Sequence, residues 1–274
     1  MTQTPLRFGY LPLADSIATL LCCGEMTKEG FPWEPVKFAN NHLLLEAFKK
    51  GEIDGGISSA VFLPELEQDR GVKIMGAASR EGVRLFASQE GKLKEAFKLK
   101  GAVVALPAKM TVHGALLYKV LQRQRLTWGQ EVTVKYLPPA EGFKALAEGA
   151  VDLVLALEPL ASRIEAEGKF SVWSSSPELW PGHLSFVALI SVEKIKQNPW
   201  LENKWRESYA NALGKPTMDY QAVAQETAPR LGVEAALLQR TLQPPLRIRY
   251  DQAALGPEES KEWRELVEAL KSLV

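Results

Sequence analysis

The chain has 274 residues, 24% of them charged, and its 33 basic side chains are matched by 33 acidic ones. A net charge of zero leaves no electrostatic footprint for nucleic acid, and no apolar run approaches the roughly 18–20 residues of a membrane span. Two adjacent cysteines are no disulfide framework, while the length supports two lobes of roughly 100–150 residues with a core each.

Residues 6–10 read as an apolar strand running into the turn Leu11-Pro12-Leu13, where proline fixes φ and removes a donor. Ala14-Asp15-Ser16 then opens a helix to about Gly24, with Asp15 or Ser16 as its N-cap. Adjacent helical Cβ atoms diverge by about 100°, so Cys22 and Cys23 are expected as buried free thiols. Gly30-Phe31-Pro32-Trp33-Glu34-Pro35 reads as a rigid loop. A strand at 36–38, an amphipathic helix at 43–48 and a strand at 53–57 follow, the last ending in Ser58-Ser59-Ala60. After a short helix opened by Leu63-Pro64-Glu65, residues 72–78 and 83–87 read as strands, the second crossing to another lobe.

A helix at 92–97, a turn at 98–101 and a strand at 103–106 come next. The helix over 111–121 carries Val112, Leu116, Leu117 and Val120 on one face. Then come a strand at 134–136, a helix at 142–146 and a strand at 151–157 ending in Glu158-Pro159-Leu160. A helix to Glu167, a strand at 170–173 and a loop at 174–182 lead to residues 183–191, a strand that crosses back. From Ile195 the pattern is mostly helical, and the last helix, over 257–273, aligns Trp263, Leu266, Val267, Leu270 and Leu273. Strands alternating with helices predict mostly parallel sheets with helices on both faces. The expected division is 1–86 for lobe one, 87–182 for lobe two and 183–274 for the return to lobe one.

One stretch occurs twice. Val36-Lys37-Phe38 through Gly51-Glu52-Ile53-Asp54 aligns without a gap on Val134-Lys135-Tyr136 through Gly149-Ala150-Val151-Asp152, at an offset of 98 residues. Upstream, Phe8-Gly9-Tyr10-Leu11-Pro12 matches Val103-Val104-Ala105-Leu106-Pro107 at an offset of 95. Two similar α/β lobes imply a functional cleft between them.

This order resembles the two-lobed periplasmic substrate-binding proteins of ABC importers, of the second topological type. It is most similar to the nitrate/sulfonate/taurine/bicarbonate-binding group, also described as NMT1/THI5-like. The resemblance is carried by 8–16 as first strand and binding loop, by Lys50-Gly51-Glu52-Ile53-Asp54-Gly55-Gly56, and by Leu99-Lys100-Gly101 through Pro107. Pro138-Pro139-Ala140-Glu141 with 147–152 and Glu158-Pro159 complete it, so that it spans roughly residues 6–200. It implies a two-lobed periplasmic-binding-protein-like α/β fold, each lobe a mostly parallel sheet flanked by helices, with the ligand cleft between lobes. It also implies a small-molecule ligand (an oxyanion, a sulfonate or a related organic compound), closure by a hinge, and an importer permease and ATPase as partners. A monomer without nucleic-acid partners or cofactors is expected. Met1-Thr2-Gln3-Thr4-Pro5 leads straight into a strand, so the chain is expected to be periplasmic or at the cell surface if a signal was removed, and cytoplasmic otherwise.

In open α/β sheets ligands lie beyond the carboxyl ends of the strands. Four loops then converge: Leu13, Asp15 and Ser16; Ser58 and Ser59; Met110, Thr111 and His113; and Glu158. Two of these loops begin helices, whose free N–H groups and dipole favour an anion. Ser16 and Thr111 are equally suited to capping, and Ser58 and Ser59 to a turn, while Asp15, whose charge repels an anion, is expected to cap. Glu158 repels an anion unless a cation pairs with it. Asp54 and Asp152 recur for turn geometry, Trp33 and Trp180 are expected as buried anchors, and His42 and His183 receive no role. There is no G-x-S-x-G, P-loop, H-E-x-x-H or C-x-x-C motif, and three separated histidines make no zinc set. The competing readings are a cytoplasmic enzyme on the same fold, of the menaquinone-pathway or pyrimidine-precursor type with His113 as acid/base, and a ligand-sensing domain.

Overall fold

The computed structural model describes residues 5–89, 93, 98–215, 219–243, 248–250 and 254–273. Strands β1 (Leu6–Tyr10), β2 (Trp33–Lys37) and β3 (Gly55–Ser59) are joined by helices α1 (Ile17–Lys28) and α2 (Asn41–Lys49). β1 runs parallel to both β2 and β3, as helical crossovers require. Helix α3 (Leu63–Gln68) leads to the long β4 (Val72–Glu81). The φ angles of Glu81 and Gly82 turn positive, 65° and 88°, and β5 (Val83–Ser88) begins in a second sheet. The chain thus passes from the first sheet to the second at 81–83.

The second lobe repeats the plan. Strands β6 (Val103–Leu106), β7 (Thr133–Tyr136) and β8 (Leu153–Leu157) are joined by α4 (Val112–Gln124) and α5 (Pro139–Ala147), with β6 parallel to its two neighbours. Helix α6 (Leu160–Glu167), β9 (Phe170–Ser175) and the single turn α7 (Ser176–Leu179) follow, and β10 (Leu184–Ser191) returns to the first sheet. The remaining elements are α8 (Val192–Gln197), α9 (Leu201–Leu213), α10 (Tyr220–Leu231), α11 (Ala235–Leu242), β11 (Ile248–Arg249) and α12 (Pro257–Ser272). No helix among the described residues is long and apolar enough to cross a membrane.

The sheet orders are β11-β4-β10-β3-β1-β2 and β7-β6-β8-β5-β9. Both sheets are mixed rather than mostly parallel. β10 runs antiparallel to β3 and β4, and β5 runs antiparallel to β8 and β9. These strands arrive directly from the other lobe, with no helical crossover to turn them parallel. Strand β2 begins within the stretch expected as a loop, and its Pro35 is tolerated because β2 is an outer strand. Of the helix expected at 92–97, all but Leu93 falls outside the described residues.

The repeated aspartates explain the repeat. Asp54 Oδ2 accepts from Arg7 N at 2.8 Å while Asp54 N donates to Arg7 O at 2.7 Å. Asp152 does the same to Val103, at 2.7 Å in both directions. Each aspartate thus ties the entry of its third strand to the entry of the first. In the first lobe, α1 is buried nearly all round between the sheet and α9 and α10, which fits its lack of a polar stripe. Phe8 stacks on Trp205 at 5.4 Å, and Trp33 packs edge-on against both. Cys22 and Cys23 are free and buried in α1.

Candidate functional site

Loops beyond the carboxyl ends of β1, β2, β3, β6 and β8 enclose a cavity of about 270 Å³ between the lobes. Lobe one supplies Leu11, Pro12, Leu13, Ala39, Asn40, Asn41, Ser59, Phe62 and Phe186. Lobe two supplies Pro107, Met110, Thr111, Val112, His113 and Leu157. Most of the wall is apolar, and no lining residue is Asp, Glu, Lys or Arg.

Five of the expected residues meet here: Leu13, Ser59, Met110, Thr111 and His113. Asp15, Ser16, Ser58 and Glu158 lie behind the wall. Ser16 does not cap α1 through its side chain, because its Oγ donates to Leu11 O at 2.8 Å and accepts from Leu11 N. Ala14 N donates to Glu158 O, and the N–H groups of Leu13 and Ser16 are used within the turn. The first loop therefore offers few donors to a ligand. Asp15 is no cap either. Its Oδ1 accepts from Ser79 Oγ at 2.5 Å, and burial pushes its carboxyl up to about 7. Glu158 is fully buried, accepting from Arg84 Nη2 at 2.5 Å and from Ser162 N at 3.0 Å. Its cation is Arg84, and Glu158 is not among the residues that line the cavity. Ser58 Oγ accepts from Asn41 Nδ2 at 3.3 Å and so helps to hold a residue of the wall.

The sequence reading missed Asn40 and Asn41. Asn40 caps α2, its Oδ1 accepting from Leu43 N at 3.0 Å. Asn41 Oδ1 accepts from Ser59 N at 2.7 Å and pins the end of β3 to the start of α2. Across the cavity Thr111 caps α4, accepting from Gly114 N at 3.2 Å and donating to Ala108 O at 2.7 Å. A Cβ on Gly114 would sit 2.0 Å from Lys109 O, so only glycine lets the loop close this tightly on the helix. Two helix starts, one from each lobe, thus face the cavity with N–H groups that have no intrahelical acceptor. They belong to α2 and α4, where the loop argument placed them at α1 and α4. A usable signal was present: Asn40 precedes the amphipathic segment of the first copy, in the position of an N-cap.

Two buried polar atoms in this wall have no hydrogen-bond partner, Ser59 Oγ and His113 Nδ1, on residues 6% and 7% exposed. Burial holds the His113 imidazole down at about 4, so it is neutral at pH 7. The cavity presents hydrogen-bonding groups and apolar surface without formal charge. Among the described residues no group of three or more His, Cys, Asp or Glu is placed to hold a metal ion.

Residues 1–228 match the sequence model of the NMT1-like family. No curated protein sequence matches the chain. The fold is similar to that of a ligand-binding component of an ABC-type import system from Staphylococcus aureus, solved with zinc bound (19% identity, TM-score 0.81, covering 97% of this chain and 92% of that one). It is also similar to the periplasmic aliphatic sulphonate-binding protein SsuA from Escherichia coli (19%, 0.78, 98% and 87%). A third similar structure is the periplasmic nitrate-binding protein NrtA from Synechocystis PCC 6803 (16%, 0.69, 98% and 89%).

Proposed function

Since the chain belongs to the NMT1-like family, we propose that it is the solute-binding component of an ABC importer and takes a small organic ligand between its lobes. The observation that carries this reading is the wall of the cavity: two capped helix starts in apolar surface with no ionised side chain, and, on the lining residues Ser59 and His113, two buried polar atoms without a partner. The unpartnered groups wait for a polar or anionic end, and the helix starts favour a negative one. Leu13, Phe62, Met110 and Phe186 suit an apolar body. A sulfonate or carboxylate on a short carbon skeleton fits this division better than bare nitrate or bicarbonate, which would leave the apolar wall unused. The ligand closes the cleft by moving one lobe against the other, and the closed form is what a membrane permease meets.

The test is thermal unfolding against nitrate, nitrite, bicarbonate, taurine, alkanesulfonates, pyrimidines and thiamine precursors. A ligand at 100 times its dissociation constant stabilises by about 2.7 kcal/mol, worth roughly 2–4 °C of melting temperature per kcal/mol at this size. The expected result is the largest shift with organic acids, recovered unchanged afterwards. A compound that shifts the melting point and is then consumed would transfer the protein to the enzymes, and a panel with no shift would contradict the reading of the cavity.

A further inference from the structure

Asp15 is a completely buried acid that no cation pairs with. One carboxylate oxygen accepts from Ser79 Oγ of β4, and the other, Oδ2, has no hydrogen-bond partner. The arginines of the neighbouring strands are engaged elsewhere: Arg80 of β4 binds Glu259 of α12, and Arg84 of β5 binds Glu158 and Glu165. Residues 17–24, which continue from Asp15 into α1, include no charged side chain. From lobe two, Glu158 adds a negative charge. Past β11, the Tyr250 hydroxyl donates to Ala14 O at 2.8 Å, and burial pushes that phenol up, so it stays neutral. Tyr209 of α9 donates to Ala77 O at 2.8 Å. Burial and then the Glu158 charge favour the protonated acid at Asp15, against the Ser79 hydroxyl and the Asp15 N–H.

This acid stands directly behind the cavity wall. Leu11, Pro12 and Leu13 line the cavity. Leu13 N donates to Leu11 O, Ser16 N donates to Leu13 O, and Ser16 Oγ holds both backbone groups of Leu11, so residues 11–16 fold as one tight turn. Two peptide units separate Leu13 from Asp15, which keeps their Cα atoms within about 7.6 Å. A charge on Asp15 would therefore lie on the order of 10 Å from an anion in the cavity. At an effective dielectric constant of about 20, two like charges at that separation weaken binding roughly tenfold.

We propose that ligand binding is coupled to a proton on Asp15: the cavity takes its anion with that proton in place and holds it more weakly once the proton has left. The coupling deepens the organic-anion reading and rests on it. When the empty chain carries Asp15 as a carboxylate, binding draws one proton from solvent onto it, turning COO⁻ into COOH, and no other bond changes. Linkage is reciprocal, so a bound anion also raises the pH at which Asp15 ionises. The carboxyl of the empty chain lies at about 7, which places the coupling near neutral pH. His113, the one ionisable side chain of the cavity wall, is held at about 4 and stays neutral there.

The experiment titrates ethanesulfonate, ionised throughout, into the full chain by calorimetry from pH 5.5 to 9. The expected affinity is level below about pH 6 and roughly tenfold weaker at pH 9, with uptake of about half a proton per ligand near pH 7.5, read from buffers of different ionisation heat. In Asp15→Asn, which keeps an acceptor for Ser79, the affinity should hold its low-pH value across the range. Ser79→Ala, which removes a bond to the ionised form, should move the fall to higher pH, and it serves as the test should Asp15→Asn not fold. A wild-type affinity that ignores pH, or a pH dependence that persists in Asp15→Asn, overturns the coupling and leaves the ligand reading standing. Absence of ethanesulfonate binding at every pH contradicts the ligand reading, and the coupling falls with it.

Discussion

The two lobes are one scaffold with two chemistries. Strands β1, β2 and β3 repeat as β6, β7 and β8, and Asp54 and Asp152 make the same pair of backbone bonds. At the cleft the aligned positions diverge. Asn40, Asn41 and Ser59 of lobe one correspond to Pro138, Pro139 and Leu157 of lobe two, 98 residues on. Asp15 and Ser16 correspond to Met110 and Thr111, 95 residues on. The first pair is buried in its own loop, and the second lines the cavity. A residue that serves the scaffold recurs, and one that serves the cleft need not.

Substitutions can break this comparison. The largest effect is expected at a feature found in lobe two alone. Glu158 aligns with Ala60, and its buried pair with Arg84 has no counterpart there. Arg84→Ala leaves a buried carboxylate unpaired and should cost about 3–5 kcal/mol in denaturant unfolding; a loss under about 1 kcal/mol would show that Glu158 is not held as described.

Asp15 comes next. Its carboxyl is raised from 3.8 to about 7 in the fold, so the unfolded chain ionises first. Its contribution is fully present below the unfolded value and is lost as pH climbs toward 7, a loss on the order of 3–4 kcal/mol by neutral pH. His113 and His183, both held at about 4 by burial, have the opposite slope, losing stability as pH falls below 6.5. Asp15→Asn should therefore gain on the wild type between pH 5 and pH 8. Parallel melting curves across that range would remove the buried acid from the account.

The repeated aspartates should behave alike. Asp54→Ala and Asp152→Ala each strand one backbone N–H and should cost about 1–3 kcal/mol. A large cost at one and none at the other would mean that the repeat is one of sequence only.

What was legible follows the same division. The strand and helix order and the structural role of the aspartates came from local patterns: apolar runs, glycine turns and a gapless repeat. The mixed character of the sheets was hidden, because the partners of β4 and β10 are set by long-range pairing. Burial of Glu158 depends on an arginine 74 residues away, which no local pattern announces. Ser16 suits an N-cap by type, yet its hydroxyl meets the Leu11 backbone first. Asn40 was legible as an N-cap ahead of the amphipathic segment, whereas Asn41, the first residue inside α2, carries no such signal.

The smallest effects on stability carry the central claim, that one ligand bridges a polar group from each lobe. Ser59→Ala and His113→Phe remove buried groups that have no partner in the ligand-free chain, so each should leave the melting point unchanged or raise it slightly. Titration of the strongest panel compound into both variants is the most direct test. A loss of about 3- to 10-fold in affinity is expected for each, the worth of one neutral hydrogen bond. Unchanged affinity in either variant would contradict a ligand held between the lobes by these two groups.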